Sequence, residues 1–167
     1  MKKNIWILSD THFGHHRLWE SGRRIKHFDE KIIKSWKNNV KDNDTVIHLG
    51  DVLIANKRSW PYYLDGLPGK KILTVGNHDH ESYSWYMDHG FDFACECFTW
   101  EIYGLNILFS HIPLMNLHYS DINIHGHLHE GTHRGPSPTD RHVLISMELQ
   151  NYQLVTLESV TNKWMNK

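Results

Sequence analysis

The chain has 167 residues, of which 40% are hydrophobic and 12% aromatic, and its 18 basic and 19 acidic residues give a net charge of −1. This length and composition predict one globular domain over residues 1–167. The near-neutral charge gives no reason to expect broad attraction to long nucleic acids or to membranes.

The N-terminal residues and the cysteines bear on the location of the protein. The start, Met1-Lys2-Lys3-Asn4, leads into a short apolar segment that ends at Asp10, so neither a signal peptide nor a membrane span is predicted. Cys95 and Cys97 would lie on one face of a single strand, where a disulfide between such near neighbours is strained. We therefore expect a cytoplasmic protein whose two cysteines are small core side chains rather than metal ligands.

Apolar runs and one amphipathic segment fill the first half of the chain. Residues 4–9 (N-I-W-I-L-S) predict a buried strand that ends at a polar turn. Residues 29–40 carry four apolar side chains at helical spacing behind two acidic residues, which predicts an amphipathic helix. Residues 45–49 and 71–75 are two further strand-like runs. Strand, helix, strand and strand in this order predict an α/β fold.

The second half is richer in strand-like segments. Residues 95–103 and 105–110 are separated by a single glycine and predict a hairpin. Three more short strands are predicted at residues 122–125, 143–147 and 154–157, with a Gly/Pro/Ser/Thr-rich loop at 131–139. This number of strands predicts an α/β fold with two packed, mostly mixed β-sheets flanked by helices.

Polar side chains follow five of the predicted strands directly. They are Asp10-Thr11-His12, Gly50-Asp51, Gly76-Asn77-His78-Asp79, Ser110-His111 and Gly126-His127-Leu128-His129. Ligands of α/β sheets bind beyond the carboxyl ends of the strands, so these side chains are expected in one crevice. Mixed oxygen and imidazole donors suit Mn, Fe, Zn, Co or Ni, and the lack of thiolates argues against a structural zinc cluster. Even without His78 and Asp79, the blocks supply seven such donors, which are too many for one small cation and predict a two-metal hydrolytic site.

These five blocks resemble the signature of the calcineurin-like metallophosphoesterases, which reads D-x-H, G-D, G-N-H-[DE], H and G-H-x-H in this order. The segments S-D-T-H-F-G-H, V-I-H-L-G-D, S-H-I-P-L and N-Y-Q-L-V-T-L-E are most similar to a compact, cap-less prokaryotic and phage subgroup. The resemblance implies a four-layer αββα sandwich. Many members carry Asp or Arg where this chain has Ile54, so a contact to a loop or substrate is expected to be lost while metal binding survives.

The resemblance also implies a role for each residue of the signature. One cation is expected on Asp10, His12, Asp51 and His129, and the other on Asp51, Asn77, His111 and His127, with Asp51 as the bridge. Manganese is expected first, with Fe, Zn, Ni or Co as alternatives, and the cations would activate a hydroxide that attacks phosphorus. His78 is expected to be the general acid for the leaving group, and Asp79 to hold the ring of His78 in its protonated form.

Further polar residues near these blocks have two interpretations each. His15 is either a substrate contact or part of a surface loop. The arginines at 17, 23, 24, 134 and 141 are either solvated charges, the commoner case, or clamps for a phosphate. Arg24 is the preferred candidate to clamp a phosphate, although the subgroup's Pro-Phe is replaced by Ile25-Lys26 after it. His48, inside an apolar strand, is predicted to be a satisfied core histidine, with a supporting role at the site as the alternative.

Residues outside the signature are expected to be structural. His80 and Glu81 are predicted to be solvated residues at the start of a helix over 82–88. The aromatic residues Trp60, Tyr62 and Tyr63 either stack on a base or, more commonly for such a cluster, form core.

The leading functional hypothesis is a phosphodiesterase acting on a small phosphoester or nucleotide-type substrate, because a site without a cap leaves room for a second ester group. A phosphomonoesterase or nucleotide pyrophosphatase with the same metals is the alternative within enzymes. A non-catalytic scaffold, as in a retromer subunit of this fold, and a nuclease are alternatives from other classes; the near-neutral charge disfavours the nuclease.

Overall fold

The computed structural model describes residues 3–130 and 138–165 of the chain. In these residues the strands are β1 (Ile5–Leu8), β2 (Thr45–His48), β3 (Lys70–Thr74), β4 (Phe93–Cys95), β5 (Cys97–Ile102), β6 (Leu105–Ser110), β7 (Ile122–His125), β8 (His142–Leu144) and β9 (Val155–Thr156). The helices are α1 (Arg17–Glu20), α2 (Phe28–Asn39), α3 (Trp60–Leu64), α4 (Tyr83–Asp88) and α5 (Leu157–Met165), with a 3-10 turn at Lys57–Ser59.

The strands form two mixed sheets, as the sequence predicted. The first has the order β4-β3-β2-β1-β9, and the second has the order β5-β6-β7-β8. In the first sheet only β9 runs antiparallel to its neighbour, and in the second only β5 does. The carboxyl ends of β1, β2 and β3 therefore share one edge, and those of β6 and β7 share another.

Two apolar clusters hold the layers together. Successive residues of a strand point to opposite faces, so Ile7 and Ile47 pack between the sheets while Leu8 and Val46 pack on the other face. That other face is covered by α2, α3 and α4, whose buried side chains include Phe28, Ile32, Trp36, Trp60, Leu64 and Tyr86. Burial on both faces explains why these strands read as continuous apolar runs. Among the described helices, none combines the length and apolar composition needed to cross a membrane.

The predicted strand over residues 95–103 is two strands in two sheets. Cys95 ends β4, which pairs with β3, whereas Cys97 begins β5, which pairs with β6. Both cysteines are free, and Cys97 is exposed, so the prediction that both are core side chains on one strand face is wrong. No glycine or proline marks the crossing at Glu96, which is why the sequence pattern did not reveal it.

The predicted hairpin is present between β5 and β6. Ile102 pairs with Leu105, and the two loop residues, Tyr103 and Gly104, have φ values of 57° and 73°. Two positive φ values are the requirement of a type I′ turn, whose twist matches that of the flanking strands. The predicted loop over residues 131–139, with Arg134, falls mainly outside the described residues.

Candidate metal centre

Most of the candidate metal ligands have an unusual backbone conformation. Five of the seven predicted ligands have a left-handed backbone conformation, namely Asp10 (φ 54°), His12 (47°), Asp51 (57°), His127 (72°) and His129 (50°). Positive φ is uncommon for residues other than glycine, and such positions cluster at functional sites because the surrounding structure must hold them. The chain therefore bends sharply just beyond the ends of β1, β2 and β7.

Two glycines allow the loops after β2 and β3 to touch. A Cβ atom on Gly50, whose φ is 92°, would lie 2.6 Å from the backbone nitrogen of Gly76 and 2.7 Å from Nδ1 of His111. A Cβ on Gly76 would collide with Oδ1 of Asp51. Only glycine fits at this backbone-to-backbone contact, which carries Asp51 and Asn77 to the same point.

The first group of donors contains Asp10, His12, Asp51 and His129. Nε2 of His12 lies 3.3 Å from Nε2 of His129, 3.8 Å from Oδ1 of Asp10 and 3.6 Å from Oδ2 of Asp51. Nε2 of His129 lies 3.7 Å from the same Asp10 oxygen. A cation with bonds of about 2.0–2.1 Å has ligand atoms roughly 3.0–3.4 Å apart, so a slight contraction of this group would enclose one.

Asp10 is a buried carboxylate with an unused oxygen. Its Oδ2 accepts the backbone N–H of His127 at 3.0 Å, whereas Oδ1 has no hydrogen-bond partner among the described residues. Burial raises the pKa of Asp10 to about 7. A buried carboxylate oxygen without a partner is costly, and a cation between Asp10, His12 and His129 would relieve that cost.

The second group contains Asp51, Asn77, His111 and His127. Nε2 of His111 lies 3.0 Å from Oδ1 of Asn77, 3.2 Å from Nδ1 of His127 and 3.5 Å from Oδ2 of Asp51. The other ring nitrogen of His111 donates to the carbonyl oxygen of Leu49 at 2.7 Å. Since a carbonyl can only accept, the proton of the neutral ring is on Nδ1 and Nε2 keeps its lone pair for a metal.

Asp51 belongs to both groups through a single oxygen. Its Oδ2 faces Nε2 of His12 at 3.6 Å and Nε2 of His111 at 3.5 Å, while Oδ1 accepts the backbone N–H of His78 at 2.9 Å. The structure thus brings all seven predicted side chains together, with Asp51 between the two sets.

Asp79 does not hold the ring of His78, and that prediction is wrong. The carboxylate of Asp79 accepts the backbone N–H groups of Asp51 at 2.8 Å, Val52 at 3.0 Å and Gly76 at 2.8 Å. Burial raises the pKa of this carboxyl above its ordinary value. We therefore assign Asp79 a structural role: its hydrogen bonds link the loop after β3 to the loop after β2.

His78 stands at the open side of the centre. Its side chain is 49% exposed and its Nε2 lies 4.0 Å from Oδ2 of Asp51. It lines a cleft of about 460 Å³, together with Leu53, Ile54, Ala55, Asn56, Lys57, Trp60, Asp79, His80, Glu81, Trp85 and Tyr86. We call this the His78 cleft. Ile54, which replaces the family's usual Asp or Arg, therefore lies in its wall.

Arg24 is not available to a substrate, and the prediction that it clamps a phosphate is wrong. It is 4% exposed, and its guanidinium donates to the carbonyl oxygens of Asp10 at 2.7 Å and Thr11 at 2.9 Å and to Oε1 of Glu148 at 2.7 Å. Arg24 thus fixes the backbone of the first ligand block from behind. Its partner, Glu148, is 124 residues away in the sequence.

Glu148 is a site residue that the sequence reasoning missed. Its Oε1 accepts from Nδ1 of His129 at 2.9 Å, which leaves Nε2 of His129 directed at Asp10 and His12. Burial alone would raise the pKa of Glu148, but the hydrogen bond from His129 and the charge of Arg24 lower it to about 2. Glu148 directly follows the apolar run at 143–147, so the strand-end pattern that found the other residues also pointed here.

The remaining histidines near the centre divide by burial. His48 is fully buried; its Nδ1 accepts the N–H of Gly50 at 3.1 Å and its Nε2 lies 3.0 Å from the hydroxyl of Thr11. It is a satisfied core histidine that also contacts two ligand blocks. The ring of His15 lies 5.9 Å from that of His12, and its substrate contact stays a prediction.

Residues at the edge of the His78 cleft are structural or solvated. His80 is exposed, and Glu81 pairs with Lys57 at 3.1 Å; both precede α4. Trp60 and Tyr63 are buried in the core, whereas Tyr62 is 79% exposed.

Comparison with known proteins agrees with this geometry. The calcineurin-like phosphoesterase family matches residues 3–165. An uncharacterized protein of Methanocaldococcus jannaschii is 26% identical in an alignment that is 170 residues long with its gaps and that covers 95% of this chain and 89% of that protein. A protein of unknown function from Aquifex aeolicus has a similar structure, with a TM-score of 0.76 and 25% identity over 97% of this chain and 100% of that one. An archaeal phosphodiesterase shares the fold with a TM-score of 0.52 at 24% identity, over 86% of this chain and 82% of that one.

Proposed function

The chain belongs to the calcineurin-like phosphoesterase family, a family of metal-dependent phosphoester hydrolases, and we propose that it is a phosphodiesterase with two divalent metal ions. The observation that carries this proposal is the position of Asp51 Oδ2, which lies 3.6 Å from Nε2 of His12 and 3.5 Å from Nε2 of His111. A carboxylate oxygen between two sets of imidazole donors suits two cations that share one ligand.

The donor set fits such cations. Asp10, His12, Asp51 and His129 would hold one ion, and Asp51, Asn77, His111 and His127 the other. The unpartnered oxygen of buried Asp10 supports this assignment, and mixed oxygen and imidazole donors suit Mn, Fe, Zn, Ni or Co, of which we expect Mn first. When bound, such a pair supplies Lewis-acid activation of water and neutralises the charge of the phosphoryl oxygens.

His78 is the proposed proton donor to the leaving oxygen. The hydrogen bond from the backbone N–H of His78 to Oδ1 of Asp51 fixes the position of its main chain. The half-exposed ring lies beside the candidate metal ligands and is not one of them. A side chain that protonates a leaving alkoxide must be accessible to the substrate and must not itself bind a metal ion. Within the block Gly76–Asp79, His78 meets both conditions.

A diester is favoured over a monoester because two clefts adjoin residues of the site. The His78 cleft is lined by the proposed proton donor, and a second cleft is lined by Asn77 and His111. A phosphodiester has an organic group on each side of phosphorus, whereas a monoester has one. A phosphomonoesterase or a nucleotide pyrophosphatase with the same metals remains the alternative.

A non-catalytic scaffold is the alternative from another class. Five ligand positions with left-handed backbone conformations argue against it, because a scaffold gains nothing from strained residues whose side chains converge on one point.

The test is a comparison of two chromogenic esters after metal loading. Protein stripped of metal is reloaded with Mn, Ni, Co, Zn or Mg, and turnover of bis(4-nitrophenyl) phosphate is compared with that of 4-nitrophenyl phosphate. We expect Mn-dependent turnover with the diester preferred, and its near-complete loss in Asp51→Asn. Preference for the monoester would overturn the diesterase assignment, and full activity of Asp51→Asn would overturn the two-metal centre.

A further inference from the structure

The second cleft beside the metal centre is large and mainly apolar. It has a volume of about 630 Å³ and is lined by Val75, Gly76, Asn77, Tyr83, Glu96, Cys97, Ser110, His111, Ile112 and Leu114. Asn77 and His111 belong both to this lining and to the second donor group. The cleft is therefore continuous with the position at which a substrate phosphorus would sit.

One wall of this cleft is held rigidly. The hydroxyl of Ser110 donates to the carbonyl oxygen of Ile112 at 2.6 Å, and the N–H of Leu114 donates to Oδ1 of buried Asn123 at 2.9 Å. Nδ2 of the same asparagine donates to Oγ of Ser110 at 3.0 Å. Because these bonds fix the loop that follows β6 at both ends, the wall is formed before any ligand arrives, as is usual for small-molecule sites.

Two large apolar side chains of the cleft are exposed. Ile112 is 47% exposed and Tyr83, at the start of α4, is 44% exposed. Large apolar side chains grouped at the surface commonly mark a binding site. These two stand next to two candidate metal ligands, where a substrate rather than a protein partner is the natural occupant.

The charge of the cleft selects among substrates. Glu96 is its one carboxylate, and no lysine or arginine lines it within the described part of the chain. A second phosphate would meet the negative charge of Glu96 and no basic side chain here. The His78 cleft differs, because it contains Lys57 and Glu81 as an ion pair.

We propose that this second cleft binds the ester group that stays on phosphorus, and that it selects a neutral apolar or aromatic group. We call it the retained-group cleft. This inference rests on the proposed phosphodiesterase function and adds a substrate class to it. The leaving alcohol departs at His78, and the retained group lies against Tyr83 and Ile112.

The test varies the retained group and keeps the leaving group constant. Methyl, benzyl and 4-carboxybenzyl 4-nitrophenyl phosphates all release 4-nitrophenolate, so differences in kcat/KM report on the retained group. We expect the benzyl ester to exceed the methyl ester by roughly tenfold or more, the size of effect that an apolar pocket gives. The carboxybenzyl ester should lose that advantage because of Glu96.

Two variants test whether the side chains of the retained-group cleft cause the preference for the benzyl ester. In Tyr83→Ala and Ile112→Ser the ratio of kcat/KM for the benzyl ester over the methyl ester should fall several-fold, chiefly through KM. Tyr119→Ala is the matched control, because Tyr119 is 95% exposed and lines neither cleft; its ratio should equal that of the unmodified protein.

The two possible failures are distinguishable. If the methyl and benzyl esters are hydrolysed equally well, or if both cleft variants keep the full ratio, the retained-group cleft is overturned while the phosphodiesterase assignment stands. If no ester of the series is turned over, the methyl ester included, the phosphodiesterase assignment itself fails and the cleft proposal fails with it.

Discussion

Replacing Glu148 by glutamine tests how the first cation position is held. The carboxylate joins two partners through one oxygen, accepting from Nε of Arg24 at 2.7 Å and from Nδ1 of His129 at 2.9 Å. The amide oxygen of glutamine can still accept both of these bonds, but it carries no charge and so no longer balances the buried guanidinium. Its side-chain nitrogen also replaces Oε2, which has no partner among the described residues.

The expected effect on metal binding follows from the role of His129. Loss of the group that orients a ligating histidine typically weakens metal affinity by about 10–100-fold. Because Glu148 contacts His129 but none of Asn77, His111 and His127, we expect this loss at one of two binding steps only. Weakening a hydrogen bond to a charged group should also lower the free energy of unfolding of the metal-free protein by about 1.5–3 kcal/mol.

The assay is calorimetric titration of metal-free protein with Mn²⁺, accompanied by denaturant unfolding. Asp44→Asn is the matched control, since Asp44 is another buried carboxylate that accepts from the backbone of Asn4 and Lys41 and from Trp6. That variant should lose stability and keep both binding steps. Equal weakening of both steps in Glu148→Gln, or a loss of stability with both steps intact, would refute the reasoning.

Three further predictions concern residues around the centre. His78→Ala should retain its metal and slow esters of alkyl alcohols by about a hundredfold or more, but nitrophenyl esters far less, because nitrophenolate hardly needs a proton; equal slowing in steady-state kinetics would contradict the role. Asp79→Asn should lower the free energy of unfolding in urea by about 1.5–3 kcal/mol and leave the alkaline limb of the pH–rate profile in place, because Asp79 does not contact the ring of His78; a shifted alkaline limb would contradict this. Burial lowers the pKa of His48 from its usual value of 6.5 to about 3, so below pH 6.5 the unfolded chain binds a proton that the folded chain does not. Metal-free protein should therefore lose up to about 1.4 kcal/mol per pH unit through this group as pH falls from 6.5 towards 3, and His48→Asn should flatten that slope in denaturant unfolding.

The sequence was informative where structure is determined locally. Apolar runs that end in Asp, His or Gly-Asn located β1, β2, β3, β6 and β7 together with the polar residues beyond each of them. Parallel strands bring such residues to one edge of each sheet. The packing of the two sheets then brings the two edges together, and that step has no local pattern in the sequence.

The predictions that failed depended on contacts between distant residues or on the direction of a turn. The burial of Arg24 depends on Glu148, 124 residues later, and no local pattern couples the two. Asp79 follows His78 directly, but the turn in which its N–H donates to the carbonyl of Gly76 at 3.2 Å sends its carboxylate back to the loops. Adjacent residues in a turn point in different directions, so adjacency in sequence did not reveal their partners.

The same contacts explain how a strained centre is kept in place. A left-handed conformation costs a residue with a Cβ about 1–2 kcal/mol, and five candidate ligands adopt it. Each of the loops that carry them is tied to another loop by a charged or buried hydrogen bond. Arg24 joins the backbone after β1 to Glu148, which lies beyond β8 in the other sheet. Asp79 joins the loops after β2 and β3.

The two sheets make a physical distinction between the two donor groups. In the first group only His129 follows a strand of the second sheet, whereas the second group takes both His111 and His127 from that sheet. His111 also reaches across to the carbonyl of Leu49 just beyond β2. Disturbing the packing of the sheets against each other should therefore weaken the second cation position before the first. In Ile47→Ala, which opens a cavity in the cluster between the sheets, stepwise titration with Mn²⁺ should show the larger loss at the step that Glu148→Gln leaves intact. An equal loss at both binding steps would contradict this distinction, because it would mean that the packing of the sheets stabilises both cation positions to the same degree.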